Sequence, residues 1–157
     1  MTDKAPGNPW RQTHMGYWLA QASLRFDARV LALMAANDGM PLALAHLAAR
    51  GHLTAAHVHI TRHLALEGSR LTELAARAGV SKQAMGKLVD QCEAWDLVRR
   101  QNDPRDARAC LVVFTPAGLS WLQAFKEAVA QAQTELQEAV GYEVATVMAL
   151  GLEAYAA

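Results

Sequence analysis

The sequence has few of the residues that build disulfide-stapled or strongly basic proteins. It contains only two cysteines, Cys92 and Cys110, and neither is part of a CxxC pair, so a disulfide framework is excluded. We expect both to be small apolar core residues. The alternative, a redox sensor, needs an exposed thiolate near positive charge. Aromatic residues make up only 6% of the chain, and alanine and leucine supply most of the apolar content, which favours helices over sheets.

Long apolar runs and enzyme motifs are also missing. No apolar run approaches the roughly 20 residues that a membrane-spanning helix needs. The first ten residues hold no apolar segment of the signal-peptide kind, so we expect a cytoplasmic protein with no membrane partner. The sequence has no HExxH, no GxSxG and no glycine-rich phosphate loop. We therefore predict no catalytic residues, no cofactor and no enzymatic activity.

The formal net charge is zero, but the charges are unevenly distributed. Residues 1–69 carry six Lys and Arg against four Asp and Glu, residues 70–110 carry eight against six, and residues 111–157 carry one against five. The three parts therefore have net charges of +2, +2 and −4. A weakly basic region ahead of an acidic C-terminal end fits a DNA-binding face on the first two parts of the chain.

Helical spacing of apolar residues and capping residues predict most of the chain to be helical. Two short helices separated by Gly79 stand out in its middle, because Thr72 and Ser81 are both suitable N-caps and glycine accepts a positive φ in a tight turn. This is the pattern of a helix-turn-helix. The predicted helices up to this point are His14–Met34, Leu42–Ala49, Thr54–Leu66, Thr72–Ala78 and Ser81–Trp95.

After Trp95 the pattern changes to strands, and then back to helices. Leu97–Gln101 and Ala109–Phe114 are rich in strand-forming residues, and the turn residues of 102–106 between them predict a β-hairpin with a charged tip. Thr115 caps a helix that begins with Pro116, a favourable first residue. Its predicted apolar face is Leu122, Phe125, Val129, Ala132, Leu136 and Val140. A final helix is predicted from Tyr142 to Tyr155, with Val144, Val147, Met148 and Leu152 as its apolar face.

The second helix of the pair has a polar face suited to DNA. At 100° per residue, one side of the helix is wholly apolar, and the other side begins with Lys82, Gln83 and Lys87. Lysine donates to guanine and phosphate, and glutamine pairs with adenine. Gly86 on this face keeps the helix free of a bulky side chain, and the acidic Asp90 and Glu93 come later. The simpler alternative is an ordinary amphipathic surface helix.

The hairpin adds three charged residues beside this helix. Arg105 lies at its tip, where an arginine can enter the minor groove. Asp106 and Arg108 are two residues apart on one strand and share a face, so Asp106 can hold the Arg108 guanidinium in a bidentate pair. The alternative is a plain surface ion pair of little energetic value.

Four segments together resemble the MarR family of transcription regulators over roughly residues 54–140. They are Leu71–Ala75 (LTELA), Val80–Met85 (VSKQAM), Asp103–Arg108 (DPRDAR) and Phe114–Gly118 (FTPAG). The resemblance implies a winged helix-turn-helix: mainly α-helical, with a small β-hairpin wing and with N- and C-terminal dimerisation helices. It also implies Ser81–Trp95 as the recognition helix and Arg99–Val113 as the wing, with Arg108 as the wing arginine and Asp106 as its orienting partner. One departure is Asp96, where the family usually has glycine; aspartate tolerates the left-handed conformation better than most residues.

The resemblance further implies a homodimer that represses transcription from palindromic double-stranded DNA and releases it on binding a small aromatic or amphipathic effector. We divide the chain accordingly into residues 1–50 and 116–157 for dimerisation and 51–115 for DNA binding. The predicted DNA-binding residues are Ser81, Lys82, Gln83, Gly86, Lys87, Arg105, Asp106 and Arg108. Apolar residues on the first and last helices, including Val30 and Phe26, are expected to pair across a two-fold axis. His14, Tyr17, Trp18 and His57 are candidates for lining an effector cavity, with core packing as the alternative.

Two other functions remain open. Winged-helix domains also serve as protein-docking modules, so an interaction module without DNA binding is one alternative. Five histidines, His46, His52, His57, His59 and His63, cluster ahead of the helix-turn-helix. His59 and His63 have the i, i+4 spacing that can chelate a metal on a helix, which makes a zinc-sensing regulator the other alternative. No cysteine lies near them in sequence, and we predict no metal site.

Overall fold

The computed structural model describes residues 9–39, 46 and 55–157. A short 3-10 helix, Pro9–Gln12, precedes α1, Met15–Ala35. Then follow α2 Ala55–His63, β1 Ser69–Arg70, α3 Leu71–Arg77, α4 Lys82–Ala94, β2 Val98–Asp103, β3 Asp106–Phe114, α5 Pro116–Val140 and α6 Tyr142–Ala156. No helix in the described ranges is long and apolar enough to cross a membrane. The mainly helical fold with a hairpin is as predicted.

A small antiparallel sheet joins the hairpin to the helix-turn-helix. Its strand order is β1-β3-β2, with Ser69 opposite Val112 and Val98 opposite Phe114. The hairpin strands are longer than predicted: they run to Asp103 and from Asp106, which leaves only Pro104 and Arg105 at the tip. β1 was not predicted, because two residues are too short to show an alternating pattern.

The core lies where α1, α2, α3, α4, α5 and the sheet meet. Its largest fully buried side chains include Trp121, Met34, Leu74, Met85 and Val89. Trp121 of α5 donates its indole N–H to Thr61 Oγ1 of α2 at 2.9 Å, and both residues are buried. The one polar atom of the tryptophan is thereby satisfied inside the core, so α5 is fixed against the helix-turn-helix lobe.

Ion pairs join α1 to two other helices. Arg62 of α2 pairs with the buried Asp27 of α1 at 2.5 Å. Arg29 of α1 donates through Nε and Nη2 to both carboxylate oxygens of Glu135 on α5, at 2.6 and 2.7 Å. The Arg29 hydrogen bonds lower the pKa of Glu135 to about 2. These contacts set α1 against both the lobe and the long C-terminal helix.

Several predicted boundaries are wrong by a few residues. α2 ends at His63, not Leu66, and α3 begins at Leu71, so Thr72 lies inside the first turn and Arg70 is the N-cap. Glu73 accepts the Arg70 backbone N–H at 3.2 Å, which ties the third residue of α3 back to this N-cap. The predicted helix over 42–49 and the Thr54 cap lie outside the described residues, apart from His46. The division at residues 50 and 115 stays a prediction.

The predicted apolar face of α5 is displaced from the buried one. The buried stripe is Gly118, Trp121, Ala124, Ala128 and Ala132, whereas Leu122, Phe125, Val129 and Leu136 are half-buried and Val140 is exposed. The smaller alanines allow the close approach of α1, and the larger residues lie beside that contact. Val30, which we expected at a dimer interface, is fully buried in the protomer core, so that part of the prediction is wrong.

Candidate nucleic-acid interface

The recognition helix, α4, presents the predicted polar face. Ser81 Oγ accepts the Ala84 backbone N–H at 3.1 Å and caps the helix, and Gly79 before it has a φ of +66°, as expected for the turn. Met85, Val89 and Cys92 are buried, while Lys82, Gln83 and Lys87 are exposed. The helix thus packs by its apolar side and leaves the two lysines and the glutamine to an outside partner.

Gly86 lies at the edge of this polar face and is half-buried beside α3. A Cβ added at Gly86 would meet only Leu71 Cδ2, at 3.9 Å, which is an ordinary van der Waals contact. The described fold therefore does not require a glycine here. A role in close approach to a partner, as predicted from the sequence, remains consistent with this geometry.

The second half of α4 is acidic, and Arg100 of β2 binds its carboxylates. Arg100 Nη2 lies 2.7 Å from Asp90 Oδ1, and Nη1 lies 2.5 Å from Glu93 Oε2. The backbone N–H of Arg100 also donates to Glu93 Oε1 at 3.0 Å. The hydrogen bonds to both carboxylates raise the pKa of Arg100 against the opposing effect of its partial burial. Arg100 therefore joins the recognition helix to the wing.

A second arginine, Arg70, holds the tip of the wing. Its Nη2 and Nε donate to Asp103 Oδ2 at 2.8 and 3.2 Å, and Asp103 Oδ1 accepts the Arg105 backbone N–H at 2.9 Å. The backbone hydrogen bond from Arg105 and then the Arg70 side chain lower the pKa of the buried Asp103. The tip turn is thus tied to the start of α3.

The structure does not place Asp106 and Arg108 as predicted. Asp106 Oδ1 accepts the backbone N–H of Arg108 at 3.1 Å, and its Oδ2 lies 3.5 Å from Arg70 Nη2. Within the described part of the chain, Arg108 forms no ion pair with Asp106, because the carboxylate is turned towards the backbone and Arg70. Arg105 and Arg108 are both exposed, so their guanidinium groups are available at the wing.

The four candidate effector residues fall into two groups. His14, Tyr17 and Trp18 lie together at the start of α1, where the His14 and Tyr17 ring centroids are 6.5 Å apart and those of Tyr17 and Trp18 are 5.1 Å apart. His57 is instead buried between α2 and α4, with Nε2 2.8 Å from Gln91 Oε1 and its ring 4.7 Å from that of Trp95. The aromatic contacts in the described ranges do not join His57 to the other three.

A cleft of about 360 Å³ lies elsewhere, between the end of α1 and the first half of α5. Its described lining is Asn37, Gly39, Leu119, Ser120, Gln123, Ala124 and Glu127. Glu127 accepts from Asn37 Nδ2 at 2.9 Å and from Gln123 Nε2 at 2.8 Å. None of the four candidate effector residues is among this described lining.

The described residues give no support to zinc sensing by the histidines or to redox sensing by the cysteines. Among the described side chains no group of three or more metal ligands comes together; His52 and the side chain of His59 lie outside them, so the His59 and His63 spacing is not tested. Cys92 is buried, and burial raises the pKa of its thiol to about 12, which suits the expected core role. Cys110 is exposed on β3, so its predicted core placement is wrong.

Part of the lobe matches the sequence model of a known protein family. Residues 53–109 match the sequence model of the MarR family, and this range contains α2, the helix-turn-helix and most of the wing. The predicted resemblance is confirmed for this part of the chain.

Solved structures share the MarR-type fold over nearly the whole chain. The transcriptional repressor CouR bound to a 23-mer DNA duplex has a TM-score of 0.69 at 23% identity, covering 96% of both chains. CouR from Rhodococcus jostii RHA1 bound to p-coumaroyl-CoA gives 0.64 at 23%, covering 92% of this chain and 93% of that one. BpsR of Bordetella bronchiseptica, described with regulation of its DNA binding by 6-hydroxynicotinic acid, gives 0.62 at 17%, covering 90% and 98%. No curated protein matches significantly.

Three residues of the MarR-type lobe were missed as parts of the site: Arg70, Arg100 and Asp103. Their ion pairs join residues that are 33 positions apart for Arg70 and Asp103, and 10 and 7 positions apart for Arg100 and its partners. The DPxD pattern drew attention to Asp103 only as a turn residue. Nothing in the spacing of Arg100 distinguishes it from its exposed neighbour Arg99, because the partner carboxylates lie on another element.

Proposed function

We propose that the protein is a homodimeric, sequence-specific DNA-binding transcription regulator and not an enzyme. The observation that carries this proposal is the recognition helix, which buries its apolar side and exposes Lys82, Gln83 and Lys87. The wing beside it exposes Arg105 and Arg108. In this arrangement the helix reads base edges in the major groove, and the wing arginines contact phosphates and the minor groove.

The second part of the proposal is that a small aromatic or amphipathic molecule releases the protein from DNA. Two similar structures support it, since one contains p-coumaroyl-CoA and another concerns control of DNA binding by 6-hydroxynicotinic acid. The group of His14, Tyr17 and Trp18, in which His14 and Trp18 are exposed and Tyr17 is half-buried, offers aromatic surface for such a ligand. The ligand changes DNA affinity only if it binds one dimer geometry better than another. The repressor acts on DNA in the cytoplasm.

Selection of bound sequences from a random duplex pool tests DNA reading directly. We expect a palindrome whose half-sites are spaced by about one helical turn, because two-fold protein symmetry imposes the same symmetry on the site. A pool that gains no common sequence, together with retention on heparin that does not fall with salt, would support the protein-docking alternative.

Effector release is tested on the selected duplex by fluorescence anisotropy with a panel of phenolic, nicotinic and aliphatic acids and their CoA thioesters. We expect at least one aromatic compound to weaken DNA binding. Trp18→Ala should reduce that response while leaving DNA affinity without ligand unchanged. If no compound in the panel changes DNA affinity, the effector part of the proposal is contradicted and the DNA-binding part stands.

A further inference from the structure

The recognition helix has no net charge of its own. Its lysines, Lys82 and Lys87, are balanced by Asp90 and Glu93. Asp90 follows Lys87 by one helical turn, so its carboxylate lies on the side of the helix that carries the exposed polar residues. A carboxylate within the ~10 Å Debye length of a DNA phosphate repels it at ordinary ionic strength. A helix that enters the groove with this composition therefore needs a compensating cation.

Arg100 is placed to be that cation. It bonds to both carboxylates at once, Asp90 at 2.7 Å and Glu93 at 2.5 Å. The strand register fixes Arg100 opposite Val112, on the edge strand β2, and its backbone N–H donates to Glu93 as well. With all these donors occupied by carboxylates, the guanidinium is directed towards α4.

Resting on the DNA-binding function proposed above, we propose that Arg100 is a positioning residue that offsets one of the two negative charges of Asp90 and Glu93. The recognition helix together with Arg100 then approaches DNA with a net positive charge. Arg100 acts through these carboxylates and does not itself contact phosphate. The role differs from that of Arg105 and Arg108, which are exposed on the wing. It also differs from that of Arg99, which is exposed and, in the described ranges, forms no ion pair.

The test is a double-mutant cycle on the selected duplex. Arg100→Gln should weaken DNA binding about fivefold more than Arg99→Gln, which removes the same charge from the neighbouring residue. The paired substitution Asp90→Asn with Glu93→Gln should then strengthen binding by a larger factor in the Arg100→Gln protein than in the wild type. If Arg100 and the two carboxylates are coupled, the gain in affinity differs between the two backgrounds. If their charges act independently, the gain is the same in both.

A matched pair of substitutions controls for net charge. Asp38→Asn with Glu138→Gln removes two exposed carboxylates that lie outside both the lobe and α6, and should change affinity by the same factor in both backgrounds. Thermal unfolding of each protein shows whether Arg100→Gln is folded. If it is not, Arg100→Met, which also removes the charge and keeps a long unbranched side chain, takes its place in the cycle, with Arg99→Met as its neighbouring control.

Two results would overturn the inference. One is an equal factor for the Asp90 and Glu93 substitutions in both backgrounds. The other is a fall of about one in the slope of log affinity against log salt for Arg100→Gln, which is the mark of a lost phosphate contact. A wild-type protein that selects no DNA sequence contradicts the proposed function and this inference together, whereas either of the two results above contradicts the inference alone.

Discussion

At the scale of single residues, Gln83 and Arg108 are proposed to make two different kinds of DNA contact. Gln83 is exposed one residue into α4, on the polar side that the sequence predicted. Arg108 is exposed on β3, and in the described part of the chain no carboxylate pairs with it. A side chain on the helix reads base edges, while one on the wing reads phosphates and groove shape.

Gln83→Ala should weaken binding to the preferred duplex by about 1–3 kcal/mol and relax the preference at one position per half-site, because a bidentate pair with adenine is lost. Competition between the selected duplex and single-base variants measures this. The control is Gln123→Ala on α5, outside the lobe. If Gln83→Ala weakens all duplexes equally, base reading by Gln83 is contradicted.

Arg108→Ala should weaken binding to all duplexes by similar factors and lower the salt slope by about one, since it removes a phosphate contact. Asp106→Ala is not expected to mimic this loss, because Asp106 accepts the Arg108 backbone N–H and its other oxygen faces Arg70. Affinities at four salt concentrations measure the slope. A sequence-dependent loss with an unchanged slope would assign Arg108 to base reading instead.

At the scale of elements, the turns decide how the recognition helix meets the wing. Asp96 joins α4 to the strand segment with a φ of +56°, so aspartate does adopt the left-handed conformation expected at this position. Thr115 accepts the Gly118 backbone N–H at 3.0 Å and donates to the Asp96 carbonyl. The cap of α5 and the turn after α4 thus support each other.

Substitutions at Asp96 should follow this conformation. Asp96→Val should lower the free energy of unfolding by about 1–2 kcal/mol, because a β-branched residue is strained at positive φ. Asp96→Gly should stay within about 1 kcal/mol of the wild type, since relief of strain is offset by the greater freedom of glycine in the unfolded chain. Urea unfolding measures both. A valine variant as stable as the wild type would contradict the role assigned to the turn.

The contact between α1 and α5 should weaken in acid. The pKa of Glu135 is lowered from 4.5 to about 2 by the Arg29 hydrogen bonds, so its contribution to stability is complete above about pH 4.5 and is lost as pH falls towards 2. The wild-type melting temperature should therefore fall more steeply over this range than that of Glu135→Gln. Glu138→Gln removes a nearby exposed carboxylate and serves as the control. Parallel curves for wild type and Glu135→Gln would show that the pair contributes nothing.

At the scale of the whole molecule, the described part of the protomer leaves most of α6 exposed to solvent. Ala145 is its buried residue, and large apolar side chains on it are exposed, among them Val144 at 52%, Val147 at 69% and Met148 at 41%. An apolar surface of this extent is typical of an interface between subunits.

Light scattering at micromolar concentration should give twice the mass of one chain. Val147→Lys should shift the protein towards monomer, because it places a charge in the proposed interface. It should also weaken binding to the full palindrome more than binding to a single half-site. Lys126→Glu on α5 is the charge-changing control. A wild-type protein that is monomeric at this concentration would contradict the dimer.

The sequence by itself determined the elements and the face of the recognition helix. Apolar spacing, the Ser81 and Thr115 caps and the Gly79 turn are local signals, and the hydrophobic side of α4 follows from its own period. The family motifs predicted the wing in the same local way. Each of these features depends on residues within a few positions of one another, so one chain segment is enough to specify it.

Only the tertiary structure decided which charges are paired. Arg100 with Asp90 and Glu93, Arg70 with Asp103, and Arg29 with Glu135 join different elements. It also decided that Val30 is buried in the protomer and that His57 packs against Trp95. The physical reason is that an ion pair or a buried contact depends on distance in space, which packing of the helices sets and spacing along the chain does not.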